Sequence, residues 1–222
     1  MSMNKTAIKI LFLLFTINLS AANNPEKRNF GKELFPLSET TKYIYETSFG
    51  ETTVMAFSKN GKIETRNEAD NFKYHQKLSM NSEGIFVNQT YQRIKLLLIF
   101  KKENTITYQR PLLRYSFPMY VGKQWKDETI EYIDGDSGRV VLTAKVTAFE
   151  EVKTKAGNFN ALKIETIVES ANGSKNIITE WIAENSGLIK ARIEIAGGGV
   201  MGWARDLLGY GILNFELKEV KE

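Results

Sequence analysis

Apolar and polar residues alternate with a period of two from Thr41 to the end of the chain. Phe72, Tyr74, Leu78 and Met80 share one phase and Lys73, His75, Lys77 and Ser79 the other, the pattern of a strand with one dry and one wet face. Val140, Leu142, Ala144, Val146 and Ala148 form a second such set, and Leu162, Ile164 and Val168 a third. Ile189, Ala191, Ile193 and Ile195 follow, then Leu213, Phe215 and Leu217. Between the runs stand Asn60-Gly61, Asn81-Ser82-Glu83-Gly84, Gly135-Asp136-Ser137-Gly138, Ala156-Gly157-Asn158, Asn172-Gly173 and Asn185-Ser186-Gly187. These are residue types that tolerate the positive φ of a tight hairpin. An antiparallel meander is expected.

Two runs are apolar on both faces: Ile94 to Phe100, and Asn176 to Ala183, where Ile177 and Trp181 oppose Ile178 and Ile182. Such strands need cover on both sides, from a second layer, a helix or a bound ligand. One helix is expected, with Val200, Trp203, Ala204, Leu207 and Leu208 on a single stripe and Gly199 and Gly209 as breakers. It is too short to persist alone in water, so its stripe must dock. The expected fold is mainly β: a single antiparallel meander forming a curved sheet, half-barrel or barrel-like sandwich, with one short docked helix near the C-terminus. No repeat or Pro/Gly-rich linker divides it.

Composition narrows the setting. The 222 residues include no Cys, which removes disulfides, thiolate metal sites and a cysteine nucleophile. Residues 1–22 read as a signal peptide: Lys5 and Lys9, then the apolar run Ile10 to Ile17, then Ser20-Ala21-Ala22 at the expected cut. The run is shorter than the ~20 apolar residues of a spanning helix. Residues 23–222 are then one β-rich domain of a periplasmic or secreted bacterial protein. The leader carries two bases and no acid, Lys5 and Lys9, so its removal leaves the charges nearly balanced and gives no electrostatic case for nucleic acid.

Three constellations mimic catalytic or binding motifs. Gly135-Asp136-Ser137-Gly138 copies the surroundings of a serine nucleophile, but the only histidine, His75, lies on a polar strand face beside two lysines. A triad needs a histidine oriented by a carboxylate and an oxyanion hole, and the sequence predicts neither; the hairpin turn is the simpler reading. Gly197-Gly198-Gly199-Val200-Met201-Gly202 has dinucleotide-loop spacing without room for the second parallel strand that such a site requires. Glu64, Glu68 and Asp70, and Asp127, Glu128 and Glu131, lack the spacing of a calcium loop. No cofactor and no metal is expected.

Three segments carry a family likeness. They are Pro111 to Trp125, including Pro118-Met119-Tyr120-Val121-Gly122-Lys123-Gln124-Trp125; Val152 to Ile164, with Ala156-Gly157-Asn158-Phe159-Asn160-Ala161-Leu162; and Trp181 to Lys190, with Gly187-Leu188-Ile189-Lys190. Together they resemble the TapB-like exported domains of bacterial envelopes, a family without known function. Asn185-Ser186 stands where a proline-containing loop is common in that family. The resemblance implies an envelope setting and no catalytic residue. More distantly the chain is similar to lipoprotein-carrier and other half-barrel envelope proteins, at the level of fold.

The reading that follows is an exported, non-catalytic envelope protein that holds an apolar ligand, a lipid or a lipidated client on the concave face of its sheet. Trp125, Trp181, Trp203 and Tyr115 are the candidate ligand-binding residues, being large aromatic anchors in the motif-bearing half and the expected helix. A sheet interior filled by its own side chains is the competing expectation. A protein interaction module of the envelope is the alternative function, and a carboxylate-based hydrolase the third.

Overall fold

The computed structural model describes residues 28–59, 62–96, 100–171, 173–196 and 211–222. Twelve strands occur among them: β1 (Lys42–Thr47), β2 (Gly50–Lys59), β3 (Lys62–Ala69), β4 (Phe72–Met80), β5 (Gly84–Leu96), β6 (Phe100–Ser116), β7 (Gln124–Ile133), β8 (Asp136–Thr154), β9 (Gly157–Ser170), β10 (Lys175–Ala183), β11 (Gly187–Ile195) and β12 (Ile212–Lys221). Each pairs antiparallel with the next, and β12 returns to pair with β1, so the meander closes into a barrel. Closure leaves no sheet edge. Of the curved sheet, half-barrel or barrel-like sandwich expected from the sequence, the structure takes a barrel form, closed by β12 against β1. Among the described residues the only helical element is a 3-10 turn at Lys32–Leu34; the stretch from Val200 to Leu208, including Trp203, lies outside them, as do residues 1–27.

Turns and bulges set the register. Ile133 pairs with Asp136 around a two-residue turn, Asp134-Gly135, both at positive φ (52° and 92°), as the primed hairpin turns demand. Ser137 and Gly138, expected in this turn, are instead strand residues of β8, Ser137 opposite Tyr132. A bulge between Val146 and Ala148 inserts one residue into β8, so Ala148 faces Lys163 and leaves the phase of Val140, Leu142, Ala144 and Val146.

The core gathers on the side of the barrel built by β1 and β6–β12, in two clusters. The first joins Leu112, Trp125, Leu142, Val146, Leu162, Ile164 and Ile182 to Phe30, Leu34 and Met119. The second joins Tyr43, Tyr45, Val152, Ala161, Ala183, Ile189, Phe215 and Leu217. Ala161-Leu162 and Ile182-Ala183 are neighbours in sequence that serve different clusters, so the ends of β9 and β10 are buried on both faces. The β8–β9 hairpin tip reaches β12, where Ala156 N–H donates to the Leu217 carbonyl at 3.2 Å. This gives the end of the Asn176 to Ala183 run, Ile182-Ala183, cover on both sides, while Ile177, Ile178 and Trp181 are half-buried.

The segment ahead of β1 plugs the end of the barrel that carries the β6–β7 and β10–β11 turns. Phe30 exchanges two backbone hydrogen bonds of 2.8 Å with Met119, and Asn185 N–H donates to the Glu33 carbonyl at 2.9 Å. Phe30 lies 5.3 Å from the Phe149 ring and Phe35 4.8 Å from Tyr115, centroid to centroid. Strands β2–β5 contribute no residue to the fully buried part of either cluster.

Candidate functional site in the barrel interior

The inner phase of β2–β6 mixes apolar residues such as Ile63, Val87 and Ile94 with a polar row. Val54, Asn67, Tyr74, Gln92 and Asn104 stand side by side in register across these five strands. They share the phase of Thr90, Ile94 and Asn104, which are withdrawn from solvent, so the row faces the lumen. In the adjoining row Gln76 donates to Tyr74 Oη at 3.1 Å and to Thr90 Oγ1 at 3.4 Å.

Three amide oxygens of the first row, Asn67 Oδ1, Gln92 Oε1 and Asn104 Oδ1, have no hydrogen-bond partner, nor do the hydroxyls of Thr52 and Thr166. Asn104, Thr52 and Thr166 are themselves buried. An orphaned buried polar group costs about 1–3 kcal/mol, so this row stands out against the general rule that such groups are paired.

An ion pair crosses the lumen beside the row. A bulge at Ile85/Phe86 leaves Arg114 as the extra residue of β6, which lets both Arg114 and Tyr115 turn toward β10. Arg114 Nη2 lies 2.6 Å from Glu180 Oε2, and Tyr115 Oη donates to Glu180 Oε1 at 3.0 Å. Burial is the strongest single influence on Arg114 and opposes its charge, yet Glu180, Tyr115 and Tyr74 together outweigh it and hold the guanidinium protonated. Burial likewise pushes the phenols of Tyr74, Tyr108 and Tyr115 up, so they remain hydroxyl donors. Glu131, buried on β7 and accepting from the Ser170 hydroxyl, is raised by its burial more than that bond lowers it.

The aromatic residues singled out from the sequence do not converge here. Trp125 is packed in the first core cluster, its Nε1 without a partner. Tyr115 belongs to the ion-pair assembly. Trp181 points away from Glu180 and Ile182, donates to Glu150 at 2.7 Å and carries Lys163 Nζ 5.7 Å above its ring. Trp203 lies outside the described residues. Asn67, Gln92 and Asn104 were missed because a polar residue in an alternating strand reads as solvent-facing; only their phase with Tyr74, Thr90 and Ile94 marks them as interior.

The sequence profile of the DUF3108-like family matches residues 31–192, most of the chain. The chain belongs to the DUF3108-like family. That family is one of unknown function, and the match spans Leu34 of the plug, the polar row and the Arg114–Glu180 pair alike. No curated protein matches the sequence. Solved structures similar in shape include a protein of Bacteroides fragilis described as exported with a YmcC-like fold, at 13% identity and TM-score 0.45 over 88% of this chain and 100% of that one. A protein of Parabacteroides distasonis described as a lipoprotein aligns at 14% identity and TM-score 0.39, over 85% of this chain and 98% of that one. The hypothetical lipoprotein YmcC of Escherichia coli aligns at 13% identity and TM-score 0.38, over 82% of this chain and 85% of its own.

Proposed function

We propose that this chain is an exported, non-catalytic binding protein of the bacterial envelope that holds a small molecule in the polar half of its barrel. The observation that carries the reading is the row of unpartnered amide oxygens on Asn67, Gln92 and Asn104. An occupant that brings donors pairs these groups and removes their cost. The space under the plug, by contrast, is occupied by Phe30, Leu34 and Met119, each almost wholly withdrawn from solvent, which favours the polar row over the apolar seat read from the sequence. The outer wall faces water: Glu64, Arg66 and Glu68 of β3 stand opposite Lys77, His75 and Lys73 of β4, the reverse of the apolar band of a lipid-facing barrel. The leader pattern from Lys5 to Ala22 and the likeness of three segments to TapB-like domains support the envelope setting.

Protein purified from its native host, denatured and extracted, is to be examined by mass spectrometry. A small molecule recovered at close to one per chain is expected. Extracts that contain none, from protein whose fold is intact before denaturation, would overturn the binding reading.

A further inference from the structure

We infer that the occupant of the lumen is a neutral, hydroxyl-rich molecule, a saccharide; this rests on the binding reading above and names its ligand class. The unpartnered groups of the row are acceptors, Asn67 Oδ1, Gln92 Oε1 and Asn104 Oδ1, with the Thr52 hydroxyl on the neighbouring inner face. Their complement is a ligand that brings several O–H donors. Hydroxyl groups also accept, which suits the protonated phenols of Tyr74 and Tyr108 nearby.

Charge points the same way. Arg114, the cation facing the row, is held by Glu180 at 2.6 Å and so is not free to select an anion, while the buried Glu131 carboxyl opposite Tyr108 accepts from the Ser170 hydroxyl. An alkyl chain would leave the amides desolvated and unpaired. The remaining element is aromatic: Phe72 stacks parallel to Tyr74, 2° between planes and 6.4 Å between centroids, at the start of β4, and also lies 5.2 Å from the Phe49 ring. A pyranose presents C–H faces to such rings and O–H edges to amides, and so satisfies both.

The test uses the full barrel on an array of neutral and anionic oligosaccharides, with a fluorescent fatty-acid probe alongside, followed by calorimetric titration of the tightest neutral glycan. Asn104→Leu and Thr52→Val should bind it at least tenfold more weakly while melting no lower than wild type, because removing an orphan polar group relieves a cost. A residue kept only for packing would not show that split. Lys77→Gln, on the outer wall, should bind as wild type does. Should Asn104→Leu misfold, Thr52→Val and Gln92→Met read the same effect. Absence of any neutral glycan bound, or binding undiminished in these variants, overturns the inference. Uptake of the fatty-acid probe or of anionic glycans only, sensitive to Asn104→Leu, overturns the ligand class and leaves the binding reading standing.

Discussion

Asp127 bridges a seam that the backbone leaves open. β6 and β7 pair only where Ile106, Thr107 and Tyr108 meet Ile133, Tyr132 and Glu131. Beyond that point Asp127 accepts from the Arg110 guanidinium at 2.6 Å and from Leu113 N–H at 2.7 Å. Thr129 Oγ1 completes the substitution, accepting from Arg110 N–H at 3.2 Å and donating to its carbonyl at 3.1 Å. Two side chains thus stand in for ladder bonds.

Asp127→Ala should therefore cost about 1–3 kcal/mol, the penalty of leaving the Leu113 N–H without an acceptor. Burial, the largest single influence, raises the Asp127 carboxyl, but Arg110 and the backbone N–H groups of Leu113 and Glu128 together bring it below its ordinary value. A lowered folded value means stability that is present above the unfolded pKa of about 4 and is lost as pH falls through the folded one. Urea melts of wild type and Asp127→Asn should differ at pH 7 and converge toward pH 3. An equal gap at both would sink the assignment.

Glu131 has the opposite sign. Its burial raises the carboxyl, with the Ser170 hydroxyl pulling only partly back. A raised acid contributes stability that is complete below its unfolded pKa and disappears as pH rises through the folded one. Glu131→Gln, which keeps an acceptor for Ser170, should melt higher than wild type at pH 7 and lose that advantage on acidification past the ordinary glutamate range. A variant less stable than wild type at neutral pH would show that the charge itself is needed.

Phe30 and Leu34 test the plug. Both are nearly inaccessible and packed against β8–β10 residues of the first cluster. Leu34→Ala should cost about 2–5 kcal/mol and Phe30→Ala about 3–5 kcal/mol, as core truncations do. Chemical denaturation of both variants decides. Losses under about 1 kcal/mol in both, the range of exposed sites, would mean that the segment rests on the barrel without sealing it.

The meander was legible because its information is local. Period two marks the strands, and groups such as Asn81-Ser82-Glu83-Gly84, between Met80 and Ile85, place the reversals within a residue or two. Closure was not, since the pair that makes it, Tyr43 with Val220, joins opposite ends of the chain and leaves no local trace. Bulges erase phase: Ala148 has the right residue type and spacing for the inner face and sits on the other. The plug escaped because Phe30 and Leu34 belong to an irregular segment with no period to read. The polar row escaped for a different reason, that Asn67, Gln92 and Asn104 occupy inner positions where alternation teaches one to expect apolar residues.

Gly84 and Gly50 separate steric from conformational demand. Both have positive φ, 155° and 114°, but a Cβ on Gly84 would fall 1.9 Å from the Tyr115 carbonyl oxygen, whereas one on Gly50 would meet nothing within 4 Å. The Tyr115 backbone cannot yield without disturbing the neighbouring Arg114 bulge and the Glu180 contacts. Gly84→Ala should be much the more damaging, with loss of soluble protein or a large fall in melting temperature. Gly50→Ala should cost about 1 kcal/mol, the scale of backbone strain alone. Equal melting of the two would contradict the close approach at Gly84.

His75 is better oriented than its sequence context suggested, and still no catalyst is expected of it. Its Nε2 lies 2.6 Å from Glu68 Oε1, an oxygen shared with Lys73 Nζ at 3.2 Å, and its ring centroid is 5.6 Å from that of Tyr91. A histidine held by a carboxylate is two parts of a triad. The serine candidate stands apart from it: Ser137 pairs with Tyr132 in β8, and β5, β6 and β7 stand between β4 and β8 in the wall. Nucleophile and base must come within hydrogen-bond reach before pKa matters. His75→Ala and Ser137→Ala, singly and together in the native host, should complement whatever phenotype deletion produces. Failure of either stably folded variant to complement would restore the hydrolase reading, starting from the Glu68–His75 pair on the outer wall.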